Sequence, residues 1–139
     1  MADRVYQAFV LRTPSVWRAV LEFVKAKAQG CLDRDSPLVV IVTTAEHDAT
    51  DEQRAFWHGV VIKRIAEEVP DDDGELRPAP WWHEKLVLDL LGMTERVSAS
   101  GQIKRQRRST GRGQITVGEY ADLITRAQVW AANRGVEWD

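Results

Sequence analysis

Apolar positions recur along the chain with two different periods, and they predict a mixture of strands and helices. Residues 5–11 are mostly apolar and bounded by charge, which predicts a strand. Thr13-Pro14 reads as a helix N-cap followed by the first helical residue. Val16, Val20, Phe23, Val24 and Lys27 follow at helical spacing, Trp17 and Leu21 widen the face, and Gln29-Gly30 predicts the stop. Leu38-Val39-Val40-Ile41-Val42 is a short β-branched run and predicts a buried strand. Strand, helix, strand in this order permits a parallel crossover. Thr50 then caps a second helix, with Gln53 as its capping-box partner and Trp57, Val60, Val61, Ile65 and Val69 as its buried stripe. Pro70 ends it. Asp71-Asp72-Asp73-Gly74 is a solvated turn. Residues 81–91 predict a third helix stopped by Gly92, and residues 94–103 predict a further strand. Thr116-Val117-Gly118-Glu119 is a second capping box and opens a final helix that Asn133–Gly135 stops. Val117, Tyr120, Ala121, Ile124, Ala127 and Ala131 share one face of that helix, with Leu123 and Trp130 beside it. So wide an apolar arc predicts burial on more than one side.

The expected fold class is therefore α+β: a small mixed sheet with about four helices, in a single domain spanning residues 1–139. That length suits one modest core. Lone Cys31 excludes an intramolecular disulfide and a cysteine zinc cluster, and fits a reducing compartment. The apolar runs are too short to span a bilayer or to form a signal-peptide core, so no membrane association is expected.

Charge adds more than composition does. The net charge is −2, but residues 97–118 carry Lys104, Arg105, Arg107, Arg108 and Arg112 and no acid. The remainder holds 14 basic and 21 acidic residues, a net of −7. Five cations within nine residues can neutralise several phosphates and drive binding by counterion release. Arginine forks bind phosphate with two bonds and stack on unpaired bases. Gly111 and Gly113 suggest a flexible arm. The plain alternative is a solvated loop or a charged edge strand that discourages aggregation.

Other candidate chemistry is thinner. Of the six tryptophans, Trp17, Trp57, Trp82 and Trp130 are read as packing residues, while Trp81 and Trp138 lie at an element boundary and near the terminus. His47, His58 and His83 match no metal spacing, and His83-Glu84 project about 100° apart on a helix. The chain has no phosphate-binding glycine loop, nucleophile elbow or dinucleotide fingerprint, so neither a cofactor nor enzymatic activity is expected.

One series of residues runs through most of the chain in order: Asp51-x-x-Arg54-x-x-Trp57, Trp82 at the start of a short helix, Ser109-Thr110, Val117-Gly118-Glu119-Tyr120-Ala121-x-Leu123 and Arg134-Gly135-Val136-x-Trp138. The series resembles the NinB family. The resemblance implies a phage-encoded recombination mediator without ATPase activity, working in the cytoplasm of the bacterial host. It implies an intertwined homodimer that binds single-stranded DNA, interacts with the host single-strand binding protein and helps load a recombinase. Two departures stand out. Glu52-Gln53 stands where the best-known family member has Gln-Asn. The segment before Ser109-Thr110 is basic where that protein has an apolar strand, which argues against a strand over 102–108.

The expected DNA contacts are Lys104, Arg105, Arg107, Arg108 and Arg112, with Arg54 added from the matching helix start. The expected dimer interface includes Tyr120, Leu123, Ala127 and Trp130 on the last helix. Two other function classes compete. A Mg²⁺-dependent structure-specific nuclease would draw on Glu46, Asp48 and Asp51. A protein-interaction module acting on a host factor would use the acidic run 67–75.

Overall fold

Two capping boxes anchor the fold. The Thr50 hydroxyl accepts from the Gln53 N–H at 3.1 Å while the Gln53 side chain accepts from the Thr50 N–H. Thr116 and Glu119 repeat the arrangement at the last helix. In this computed structural model, which describes residues 5–138, the elements are α1 (Pro14–Asp33), α2 (Asp51–Phe56), a π-helical segment (Trp57–Ile62), α3 (Lys63–Glu68), α4 (Ala79–Leu90), β1 (Met93–Val97), β2 (Ile103–Arg107) and α5 (Val117–Ala132). The stretch from α2 to α3 is one continuous helix, so the described residues form four helices and a two-stranded antiparallel sheet, an α+β fold. Among the described residues, no helix is long and apolar enough to cross a membrane.

The core lies between the α2–α3 helix, α4 and α5. Trp57, Val61, Ile62, Ile65, Trp82, Leu86, Tyr120, Leu123 and Ala127 are among its fully buried side chains. The π turn puts an extra residue into the helix and so rotates its apolar stripe. Ile62, which a regular 3.6-residue stripe leaves to one side, is completely buried, while Val60 is only half-buried. Gln53 is also completely buried, and its amide donates to the Val117 carbonyl at 2.9 Å, tying the starts of α2 and α5 together. Both functional atoms of that amide are satisfied, which is the condition for burying it without a large cost. Here the glutamine is a structural link.

The N-terminal third departs from expectation. Residues 5–10 form no strand; Tyr6 packs on Phe56 at 5.1 Å and Phe9 on Phe23 at 5.7 Å. Residues 38–42 form no strand either, and Val39, Val40, Ile41 and Val42 are 66–91% exposed. The expected parallel crossover and mixed sheet are thus absent among the described residues. A strand needs a ladder partner, and none pairs with this run among the described residues. The expected face of α1 is the half-buried one, but Trp17 is exposed and only Cys31 is buried. Helix α1 also runs past Gly30. It stops when Asp35 takes the left-handed conformation (φ 53°), with Ser36 N–H donating to Cys31 O and Asp35 N–H to Leu32 O. These are the paired bonds of a Schellman stop, with aspartate where glycine is usual.

The expected strand over 94–103 is in fact a hairpin. Met93 pairs with Arg107, Thr94 with Gln106, Glu95 with Arg105, Arg96 with Lys104 and Val97 with Ile103. A turn at Ser98–Gln102, with Gly101 at φ 81°, reverses the chain. The basic composition of 103–107 does not prevent a strand, because the antiparallel register sets Arg105 against Glu95 at 3.1 Å.

Candidate nucleic-acid interface

The basic segment is a strand followed by a loop, and its cations fall into two groups. Arg107 and Arg108 are struts. Arg107 donates from Nε and Nη2 to the Glu84 carboxylate at 2.7 and 2.9 Å, and from Nη1 to its neighbour's carbonyl at 2.7 Å. This forked pair fastens β2 to α4. Arg108 reaches Glu119 of α5 at 2.6 Å and is 29% exposed. Arg108 holds the Glu119 carboxyl below the ordinary carboxylate range, with the Thr116 N–H assisting.

Arg54, expected as a DNA contact, is also a strut. Its side chain is 18% exposed. It donates to Thr110 O at 3.3 Å and to Ala49 O at 2.8 Å, so it holds the loop that carries Arg112. Beneath the loop, burial pushes the Tyr120 phenol up to about 12, against the opposing influences of Thr110 and the Arg54 charge.

Lys104, Arg105 and Arg112 form the second group. Lys104 is exposed and makes no ion pair among the described residues. Arg105 is 73% exposed beside Glu95, and Arg112 is 79% exposed beside Asp51 at 3.1 Å. Exposed pairs of this kind contribute about 0–1 kcal/mol, so a phosphate competes with them readily. The loop itself is shaped by Asp48, which accepts from the Gly113 N–H at 3.1 Å, and by a lone bridge between Asp48 and Thr116. The arm expected to be flexible is therefore tethered at both ends.

Tyr120, Leu123 and Ala127, expected at a subunit interface, are sealed in the core of the single chain with at most 1% exposure. The wide apolar arc of α5 is filled by α4 on one side and the α2–α3 helix on the other. A second subunit cannot touch these three residues without opening the fold. Trp130 is half-buried, packed on Trp82 at 5.4 Å with the Arg134 guanidinium 4.0 Å above its ring.

Asp48 and Asp51 are held by Gly113 and Arg112, and Glu46, Asp48 and Asp51 do not converge; no group of three potential metal ligands occurs among the described residues. Asp71 accepts from the Asp73 and Glu75 N–H groups and pairs with Arg77, which depresses its carboxyl. His83 is a core partner that local spacing does not announce. Its Nδ1 accepts from Trp57 Nε1–H at 2.9 Å, and its ring lies 4.8 Å from that of His58. Burial, then the neighbouring His58 and Arg107, push its pKa down to about 4, with Glu84 opposing.

That depression makes a prediction. The folded value lies below the ordinary 6.5, so the unfolded chain binds the proton first. Stability is fully present above pH 6.5 and declines as pH falls toward 4. Solvent screening at a half-buried ring limits the loss to roughly 1–2 kcal/mol. Melting temperatures measured from about pH 7 to 4 should show this decline, and His83→Gln should flatten it. Equal slopes in the two proteins would contradict the assignment.

No curated protein matches the chain. A solved structure described as "Structural Genomics, NinB" is similar at 22% identity, covering 98% of this chain and 91% of that one, with a TM-score of 0.47. A family model described as NinB protein matches residues 5–139, and by that match the chain belongs to the NinB family.

Proposed function

We propose that this protein is a phage recombination mediator that binds single-stranded DNA without hydrolysing ATP, cooperates with the host single-strand binding protein and assists recombinase loading in the host cytoplasm. Family membership supports the recombination role. The observation that carries the DNA-binding reading is the division of the basic segment. Arg54, Arg107 and Arg108 hold a frame, and Lys104, Arg105 and Arg112 project from it into solvent. Contact is to the phosphate backbone by exposed cations, so the mechanism is charge neutralisation with little sequence readout.

Binding isotherms on single- and double-stranded oligonucleotides, with and without Mg²⁺, test this reading. The expected result is tighter binding to single strands and no cleavage in either condition. Divalent-dependent cleavage would favour the nuclease reading, and no binding to either DNA would favour a protein-interaction module.

The dimer belongs to the same proposal. Its support moves from α5 to the exposed run Val39–Val42, a β-competent segment without a ladder partner among the described residues. A second copy supplies an identical edge and buries it. Light scattering at micromolar concentration should give the mass of two chains, and Val40→Lys should shift it toward one. A wild-type monomer would contradict the dimer.

A further inference from the structure

The hairpin register places two cations directly across from each other. Arg96 of β1 pairs with Lys104 of β2. Residues paired in an antiparallel ladder project from the same face, so these like charges sit about 5 Å apart at their Cβ atoms and repel. Both are exposed, and neither makes an ion pair among the described residues. The flanking pair on this face is Thr94 with Gln106, so the face carries cations and neutral hydrogen-bonding side chains and no acid. The opposite face differs in kind. There Glu95 offsets Arg105, Glu84 offsets Arg107, and Val97 lies across from Ile103. One side of the hairpin is thus charge-compensated and the other is not.

We propose that the Thr94, Arg96, Lys104, Gln106 face of the hairpin is a phosphodiester-binding surface for single-stranded nucleic acid, with Arg96 as a contact residue. The proposal rests on the single-strand binding reading above and extends it to a residue outside the basic segment. A polyanion fits because successive phosphates along a strand neutralise both cations and relieve their repulsion, while Thr94 and Gln106 offer hydrogen bonds beside them. The face is narrow and lacks exposed aromatics, so it tracks backbone and leaves the bases unread.

The like-charge pair gives the test an unusual signature. Arg96→Glu sets a carboxylate opposite Lys104. In the free protein it should raise the melting temperature by roughly 1–3 °C, because repulsion becomes attraction. In fluorescence anisotropy with a labelled oligothymidine it should weaken binding by about 3–10-fold and make the salt slope shallower by about 0.7, the amount for one phosphate no longer neutralised. Arg96→Lys should restore most of the affinity. Stabilisation together with weaker binding cannot arise from damaged folding. Unchanged affinity in Arg96→Glu, with the wild type binding normally, overturns the hairpin site and leaves the broader function standing. Failure of the wild type to bind overturns both. A lower melting temperature in Arg96→Glu contradicts the register on which the site is built.

Discussion

Trp57→Ala is expected to destabilise the fold by about 3–5 kcal/mol, the range for removing a large aromatic side chain from a packed core. Domains of this size are stable by only about 5–15 kcal/mol, so the variant loses a large fraction of its margin. Trp57 is completely buried at the π turn and touches each part of the core. Its ring meets Tyr120 of α5 edge-on at 6.3 Å and His83 of α4 at 6.2 Å. Its N–H is the donor to His83 Nδ1, so truncation opens a cavity and also leaves a half-buried acceptor without its partner. Urea denaturation should show a lower midpoint with an unchanged slope. Trp57→Phe keeps most of the volume and loses the hydrogen bond, so its cost should be clearly smaller. A Trp57→Ala loss below about 1 kcal/mol would contradict the position assigned to this ring.

Reversing the three projecting cations together, with Lys104→Glu, Arg105→Glu and Arg112→Glu, is expected to reduce single-strand affinity by at least about 100-fold at low salt. Each substitution removes an attraction to phosphate and adds a repulsion. The frame should survive, because none of the three side chains is buried and the contacts of Arg54, Arg107 and Arg108 are untouched. The contrasting variant Arg107→Ala frees Glu84 and releases β2 from α4, so it should lower the melting temperature as well as affinity. Near-wild-type affinity in the reversed variant, with an unchanged melting temperature, would remove the projecting cations from the binding surface.

Local chemistry makes parts of this fold readable. Both capping boxes are written in four consecutive residues, and both form as expected. The helical stripe of α5 is legible for the same reason, since 3.6-residue spacing is a property of the segment alone. The hairpin is less so. Ser98-Ala99-Ser100-Gly101 is a turn signal, but charge dominates the alternation on either side, and 94–103 reads as one strand. Recognising that glycine as a turn residue is the one available clue.

Long-range pairing is not legible. Arg107 meets Glu84 and Arg112 meets Asp51 across 23 and 61 residues of chain, and no local spacing announces either. The basic segment therefore looks uniform in sequence, although Arg107 and Arg108 within it are structural. Arg54 is a further instance: the family resemblance at the helix start implies a DNA contact there, while its guanidinium turns inward to backbone carbonyls. The apolar width of α5 does mean burial on two sides, but both sides belong to its own chain. Conversely, the β-branched run 38–42 reads as buried, and Val39, Val40, Ile41 and Val42 are exposed. Hydrophobicity signals that a segment requires a partner without naming which chain provides it.

The most direct measurement is the slope of log affinity against log salt concentration for single-stranded oligonucleotide, compared between the wild type and the variant with Lys104, Arg105 and Arg112 all changed to Ala. If the three cations contact phosphates, the wild type should show a steep negative slope and the variant one shallower by about 2, at about 0.7 per phosphate. Parallel slopes would contradict the account, because they would mean that these side chains release no counterions on binding.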